Sequence, residues 1–159
     1  MADLDLLKDK NILIVDDDQS TCDMLCDELA SRGHDCIAMV SPAQAFKRTM
    51  EESFDIVLTD LRMPGTDGIE FCERIVTNRP DIPVVVIISG VEGAGKGEVV
   101  NRLNEWLDAR GVQTFAFWDE TDEERDRPRN WRFWRALPAA GEIAIMFSGW
   151  PALRMIMQS

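Results

Sequence analysis

Apolar residues along the chain fall into short unbroken runs separated by stretches with helical spacing. Asn11-Ile12-Leu13-Ile14-Val15 is one such run, ending in Asp16-Asp17-Asp18. Its pattern is that of a parallel strand covered on both faces. From Gln19 to Arg32, Met24, Leu25 and Leu29 recur at helical spacing, and Gly33 supplies a stop. A second strand is predicted at 36–40. Ser41-Pro42 then reads as an N-cap followed by a proline in the first turn, with the helix running to about Glu52. Asp55-Ile56-Val57-Leu58-Thr59 is a third strand. A turn at Pro64-Gly65 leads into a helix with Ile69, Cys72, Ile75 and Val76 on one face. Pro80 and Pro83 end that helix and deliver the chain to a strand at 84–88.

The alternation continues beyond that strand. A helix is predicted over 96–109, with Val99, Val100, Leu103, Trp106 and Leu107 inward and Gly111 closing it. Residues 112–118 form a strand, 119–126 an acidic loop or lid, and 128–137 a helix with Trp131 and Trp134 buried. A last strand follows at 143–147, and 151–159 forms a short closing helix. Strand–helix alternation with short connections implies a doubly wound α/β fold.

Composition narrows the function classes. The 159 residues are 45% hydrophobic, enough for an ordinary core. The net charge of -12 opposes nucleic-acid phosphates and anionic lipid, so neither nucleic acid nor membrane is an expected partner. Residues 1–10 lack the basic and apolar segments of a signal peptide, and the chain reads as cytoplasmic. Cys22, Cys26, Cys36 and Cys72 lack metal-ligand spacing and read as buried reduced thiols. His34, the one histidine, is assigned a surface or packing role.

The candidate chemistry begins at the strand ends. Parallel strands put their C-terminal ends on one edge of the sheet, where ligands bind. Asp16 and Asp17 end the first strand and Asp60 ends the third. Crowded carboxylates repel one another unless a cation neutralises them, and Mg²⁺ with its oxygen ligands suits that need. The bland alternative is acids that merely cap strands and helices. Together with Met63-Pro64-Gly65 and Asp67-Gly68, these acids make residues 10–89 resemble a response-regulator receiver domain of the CheY-like fold. The resemblance implies Asp60 as phosphoacceptor, and Asp16, Asp17, Asp60 and the Arg62 backbone carbonyl as Mg²⁺ ligands. It also implies Ser89 as the hydroxyl that meets the phosphoryl group, and a sensor histidine kinase as partner. The Lys-Pro pair that the family carries after its fifth strand is missing: 143–147 is followed by Ser148-Gly149-Trp150-Pro151.

A second signature overlaps the first. Gly90-Val91-Glu92-Gly93-Ala94-Gly95-Lys96-Gly97 fits G-x-x-x-x-G-K between a strand and a helix. Gly90, Gly93, Gly95, Lys96 and Gly97 are the candidate phosphate, nucleotide or polyphosphate cradle, against a plain turn as the alternative. With Arg102 to Gly111 and Leu137-Pro138-Ala139-Ala140-Gly141-Glu142, this loop makes residues 84–150 resemble the second family of polyphosphate kinases. Active members, by that resemblance, carry an Asp-Arg pair where this chain has Ser148-Gly149, and a Ser or Thr where it has Gly97. Catalysed phosphoryl transfer is therefore not expected. Arg125 to Arg135 matches that family's lid or forms a solvated amphipathic helix.

The two resemblances meet at 84–88. Superposing their common strand predicts one composite domain over 1–159, made of a receiver-like half (1–89) and a P-loop half (84–150). The expected architecture is a three-layer, mostly parallel, flavodoxin-like/P-loop hybrid. Its strand order is 36–40, 11–15, 55–59, 84–88, 143–147, 112–118. The expectation is an engineered or recombined chimera with a receiver-like phosphoacceptor function, its native output impaired. The competing readings are a nucleotide or polyphosphate phosphotransferase fragment and an inert scaffold.

Overall fold

The computed structural model describes residues 9–63, 66–88, 101, 105, 111–116, 121–127 and 135–147. Its main sheet has six strands: β1 (Asn11–Val15), β2 (Asp35–Met39), β3 (Ile56–Asp60), β6 (Val84–Ile88), β7 (Val112–Ala116) and β8 (Ile143–Phe147). The order is β2-β1-β3-β6-β8-β7, every pair parallel. This is the predicted order. Two strands shift by one residue, from 36–40 to 35–39 and from 55–59 to 56–60, because Asp35 pairs with Asn11 and Asp60 pairs with Ile87. Asp60 is thus the last residue of β3 rather than the first after it.

The sheet is covered by helices α1 (Gln19–Ala30), α2 (Pro42–Glu51) and α3 (Gly68–Asn78). Strand residues alternate between two cores, as the two-residue period of a strand requires. Ile12, Ile14, Val85, Ile87, Ala144 and Met146 face Cys22, Leu25 and Leu29 of α1. Leu13, Val15, Val57, Val84, Val86 and Ile145 face the side of Ala45 in α2 and Phe71, Cys72 and Ile75 in α3. The chain moves outward from β1 to β2 and then back past β1 to β3. Right-handed crossovers in opposite directions put α1 and α2 on opposite faces. All five residues of β6 are buried, and Val57–Asp60 on one side and Ile143–Phe147 on the other pair with it.

Local signals set the helix ends. Asp18 caps α1 by accepting a hydrogen bond from the Ser20 amide, and Ser41 caps α2 by accepting from the Gln44 amide. Gly33 follows α1 at φ 87°, a left-handed backbone that suits glycine.

Several expectations change. The cysteines are not all reduced: a disulfide joins Cys26 of α1 to Cys36 of β2, with Cα atoms 5.4 Å apart. Helix and strand lie back to back across the Gly33 turn, which brings these two positions level. Cys22 and Cys72 remain buried thiols. The turn before α3 is a small antiparallel hairpin of β4 (Arg62–Met63) and β5 (Thr66–Asp67). Residues Asp122–Arg125 form one helical turn where a loop was expected, its Arg125 paired with Asp122 at 2.9 Å. Arg135 and Ala136, expected at a helix end, lie in a turn. The predicted helices over 96–109 and 151–159, and residues 128–134, lie largely or wholly outside the described residues.

Candidate acidic site

The first crossover places β2 to one side of β1 and the second places β3 to the other. The connections therefore part above β1 and β3, which leaves a cleft at their C-terminal ends. Asp16 leaves β1 into this cleft, and Asp60 ends β3 beside it. Asp16, Thr59 and Asp60 line the cleft, with Leu25, Leu58 and Ile87 contributing apolar wall.

Asp16, Asp17 and Asp60 each bring a carboxylate oxygen within 4.8 Å of the others. Asp16 is buried, Asp17 exposed and Asp60 between the two. The Asp16 amide donates to the Met39 carbonyl oxygen at 3.2 Å, which ties the start of the loop to β2. The Asp16 carboxylate accepts from the Asp18 amide at 2.9 Å, and its carbonyl accepts from Cys22 Sγ at 3.4 Å. The Leu61 amide donates to Asp60 Oδ1 at 2.8 Å and so orients the second acid.

Burial pushes the Asp16 carboxyl up to about 6, and repulsion from Asp60 and Asp17 adds to it against the lowering effect of the Asp18 amide. Burial also pushes the Cys22 thiol up to about 11, with the Asp16 charge contributing. A cation placed among the three acids would relieve this repulsion. The donor set, all oxygen with a main-chain carbonyl nearby in sequence at Arg62, suits a hard divalent ion such as Mg²⁺.

Gly68, at the start of α3, sits against the loop that follows Asp60. A Cβ there would lie 2.5 Å from the Leu61 carbonyl oxygen and 2.9 Å from Leu61 Cα. The sequence signalled Asp67-Gly68 only as a pattern. Its physical reason is the close approach of helix to loop, and Leu61 is the residue that reasoning from sequence passed over.

The structure thus brings Asp16, Asp17 and Asp60 together. Arg62 lies in β4, paired with Asp67 and two residues beyond Asp60. Ser89, Gly90, Gly93, Gly95, Lys96 and Gly97 lie outside the described residues. β6 ends at Ile88, one residue beyond the partner of Asp60.

Comparison with known proteins finds two family matches on the chain. A model of the response regulator receiver domain matches residues 12–101, and a model of polyphosphate kinase 2 (PPK2) matches residues 66–153. A polyphosphate:AMP phosphotransferase of Pseudomonas aeruginosa is 52% identical over 68 residues, which are 43% of this chain and 14% of that protein. The transcriptional regulatory protein ZraR of Klebsiella oxytoca is 40% identical over 77 residues, 48% of this chain and 17% of that protein. The chain therefore spans a small part of the length of these relatives. Among solved structures, a response regulator receiver domain protein from Clostridium thermocellum shares the fold over 94% of this chain and 91% of its own, with a TM-score of 0.58 at 14% identity. An uncharacterized protein from Neptuniibacter caesariensis covers 60% of this chain and 70% of its own, with a TM-score of 0.52 at 30% identity. Among the described residues no helix is long and apolar enough to cross a membrane. The two family matches overlap across 66–101, around β6. The chain belongs to the response regulator receiver family through residues 12–101 and to the polyphosphate kinase 2 family through residues 66–153.

Proposed function

We propose that the chain is a Mg²⁺-dependent phosphoacceptor module of the two-component type, with Asp60 as nucleophile. The observation that carries this reading is the meeting of Asp16, Asp17 and Asp60 within 4.8 Å at the switch point of the sheet. Asp16, Asp17 and Asp60, with the Arg62 carbonyl, are the residues assigned to hold the ion. When bound, Mg²⁺ supplies the positive charge that lets an anionic phosphoryl group approach three acids.

An Asp60 carboxylate oxygen attacks the donor's phosphorus. The new O–P bond forms as the donor's bond to phosphorus breaks, and the donor departs with that electron pair. The Leu61 amide holds the Asp60 carboxylate in orientation, and Asp16 and Asp17 would hold the ion beside it. A sensor histidine kinase is the natural donor for such a site, and Ser89 is assigned to meet the transferred group. The lack of the Lys-Pro pair argues for impaired signalling output.

Two family matches that overlap across 66–101 support a chimeric origin, recombined or engineered. A second reading rests on the match of residues 66–153: a nucleotide- or polyphosphate-binding fragment that uses Gly90, Gly93, Gly95, Lys96 and Gly97. Its metal-binding residues are incomplete, so binding without turnover is the expected activity.

Incubation with Mg²⁺ and a small acyl phosphate tests the first reading. A hydroxylamine-sensitive phosphoryl adduct should form on the wild type, and it should be lost in Asp60→Asn and with a chelator. No adduct on the folded wild type would reject the phosphoacceptor reading. Calorimetry with nucleotide or polyphosphate tests the second, and heat without Mg²⁺-dependent turnover is expected.

A further inference from the structure

We propose that the Cys26–Cys36 disulfide is a redox control on the acidic site, setting its affinity for a divalent cation. The proposal rests on reading Asp16, Asp17 and Asp60 as a cation site.

The loop that carries Asp16 and Asp17 has two walls. One is β2, through the Asp16 amide on the Met39 carbonyl oxygen at 3.2 Å. The other is α1, through Cys22 Sγ on the Asp16 carbonyl at 3.4 Å and through the Asp18 cap at the helix start. The disulfide joins those same two walls, since Cys26 lies one turn beyond Cys22 in α1 and Cys36 lies three residues before Met39 in β2. Asp16 therefore sits in a closed ring: loop, α1, the two sulfurs, β2, and the Met39 hydrogen bond back to the loop.

The ring opposes a definite force. Three carboxylates within 4.8 Å repel one another, and the repulsion pushes the loop away from Asp60. While the disulfide is intact, α1 and β2 cannot separate to let the loop relax, and the acids stay at cation-binding distance. Reduction opens the ring and leaves only hydrogen bonds and core packing, with no covalent link, to resist the repulsion. The cation-free loop can then relax, and a cation must first draw the acids together again. The cost of that reorganisation appears as weaker binding. By linkage, bound cation favours the disulfide in return.

The chemistry balances with a dithiol as reductant. Its thiolate attacks one cysteine sulfur and the Cys26–Cys36 bond breaks, giving a mixed disulfide and one cysteine thiol. The second thiol of the reductant then releases the other cysteine and leaves the reductant as its own disulfide. Both cysteines are half-buried rather than sealed, so such a reagent has a route to them.

The test is calorimetric titration of Mg²⁺ alone into the full chain, oxidised and after dithiol treatment. Thiol titration of the unfolded chain establishes each state, with Cys22 and Cys72 alone reactive before reduction. Reduction is expected to weaken Mg²⁺ binding by about five- to tenfold. Cys26→Ser and Cys36→Ser should each match the reduced wild type and no longer respond to dithiol. The midpoint of thermal unfolding should fall by roughly 5–10 °C in all three, as loss of a short cross-link requires. A lower midpoint with equal Mg²⁺ affinity would overturn the proposal and leave the disulfide as a staple. So would unfolding of the reduced protein at the temperature of the titration, or a chain whose four thiols resist oxidation. Absence of Mg²⁺ binding in both redox states would overturn the cation reading itself, and the redox control with it.

Discussion

Gly141 and Pro80 approach each other where the loops before β8 and β6 meet. Gly141 has φ 78°, and a Cβ on it would lie 2.9 Å from the Pro80 carbonyl oxygen. One residue on, the Glu142 carbonyl accepts a hydrogen bond from the Val84 amide at 3.1 Å. Two loops, one before each of these neighbouring strands, are thus fitted backbone to backbone. Gly141→Ala combines a strained φ with a steric conflict, and it is expected to cost ~1–3 kcal/mol in stability. Urea unfolding measures this, and an unchanged midpoint would mean that the approach is not tight.

Gly68→Ala should act on the acidic site as well as on stability. Its new methyl meets Leu61 main-chain atoms, which cannot swing aside as a side chain does. The Leu61 amide, hydrogen-bonded to Asp60, must move with them. A loss of ~1–3 kcal/mol is expected, with a weaker Mg²⁺ titration in the same sample. Lower stability with unaltered Mg²⁺ binding would confine Gly68 to packing.

Asp16 should give the cation-free protein an unusual pH dependence. Its folded value is raised from 3.8 to about 6, so between those values the folded state holds more protons than the unfolded chain. Stability then falls as pH rises through that window and is recovered as pH falls. Above pH 6 the ionised, buried carboxyl weighs against the fold by ~3 kcal/mol. Asp16→Asn should remove this component and raise stability at pH 7 in the absence of divalent cations. Thermal unfolding from pH 4 to 7.5 in chelator reads it out. A wild type and variant with parallel profiles would contradict the account.

The shared sheet predicts a single unfolding event. All five tryptophans lie beyond residue 100, at 106, 118, 131, 134 and 150. Their fluorescence follows the second half alone, whereas exposure of the Cys22 and Cys72 thiols follows the first. Both signals should share one urea midpoint. Ile145, fully buried in β8, should shift both by the same amount when changed to Ala, at a cost of ~2–5 kcal/mol. Separate midpoints would show two units that melt independently.

Much of the fold was legible because its central strands are nearly pure apolar runs with acids, prolines or glycines at their ends. Val84–Ile88 is the clearest case: five apolar residues in a row require cover on both faces, and the structure provides it. The meeting of Asp16 and Asp60 followed from strand ends and topology, without knowledge of side chains. The Cys26–Cys36 link was less visible, since cysteine spacing does not reveal which elements fold back on each other. A signal was present, however. A helix rises less per residue than a strand, so Cys26, seven residues before Gly33, comes level with Cys36, three residues after it. The hairpin before α3 was missed because two-residue strands carry no period. The one-turn helix Asp122–Arg125 was hidden for a similar reason: four polar residues have no apolar face to betray them.

Ile88 and the four residues before it have consequences for how such a chain tolerates reshuffling. A segment enclosed above, below and on both flanks asks only for bulky aliphatic side chains, and makes no demand on charge or hydrogen-bonding side chains. Any parent that supplies a comparable aliphatic stretch between a left-hand and a right-hand neighbour can be cut and rejoined there. Pro80 and Gly141, which fall on opposite sides of such a join, must still be matched to each other. Viable hybrids should therefore cluster at the buried strand.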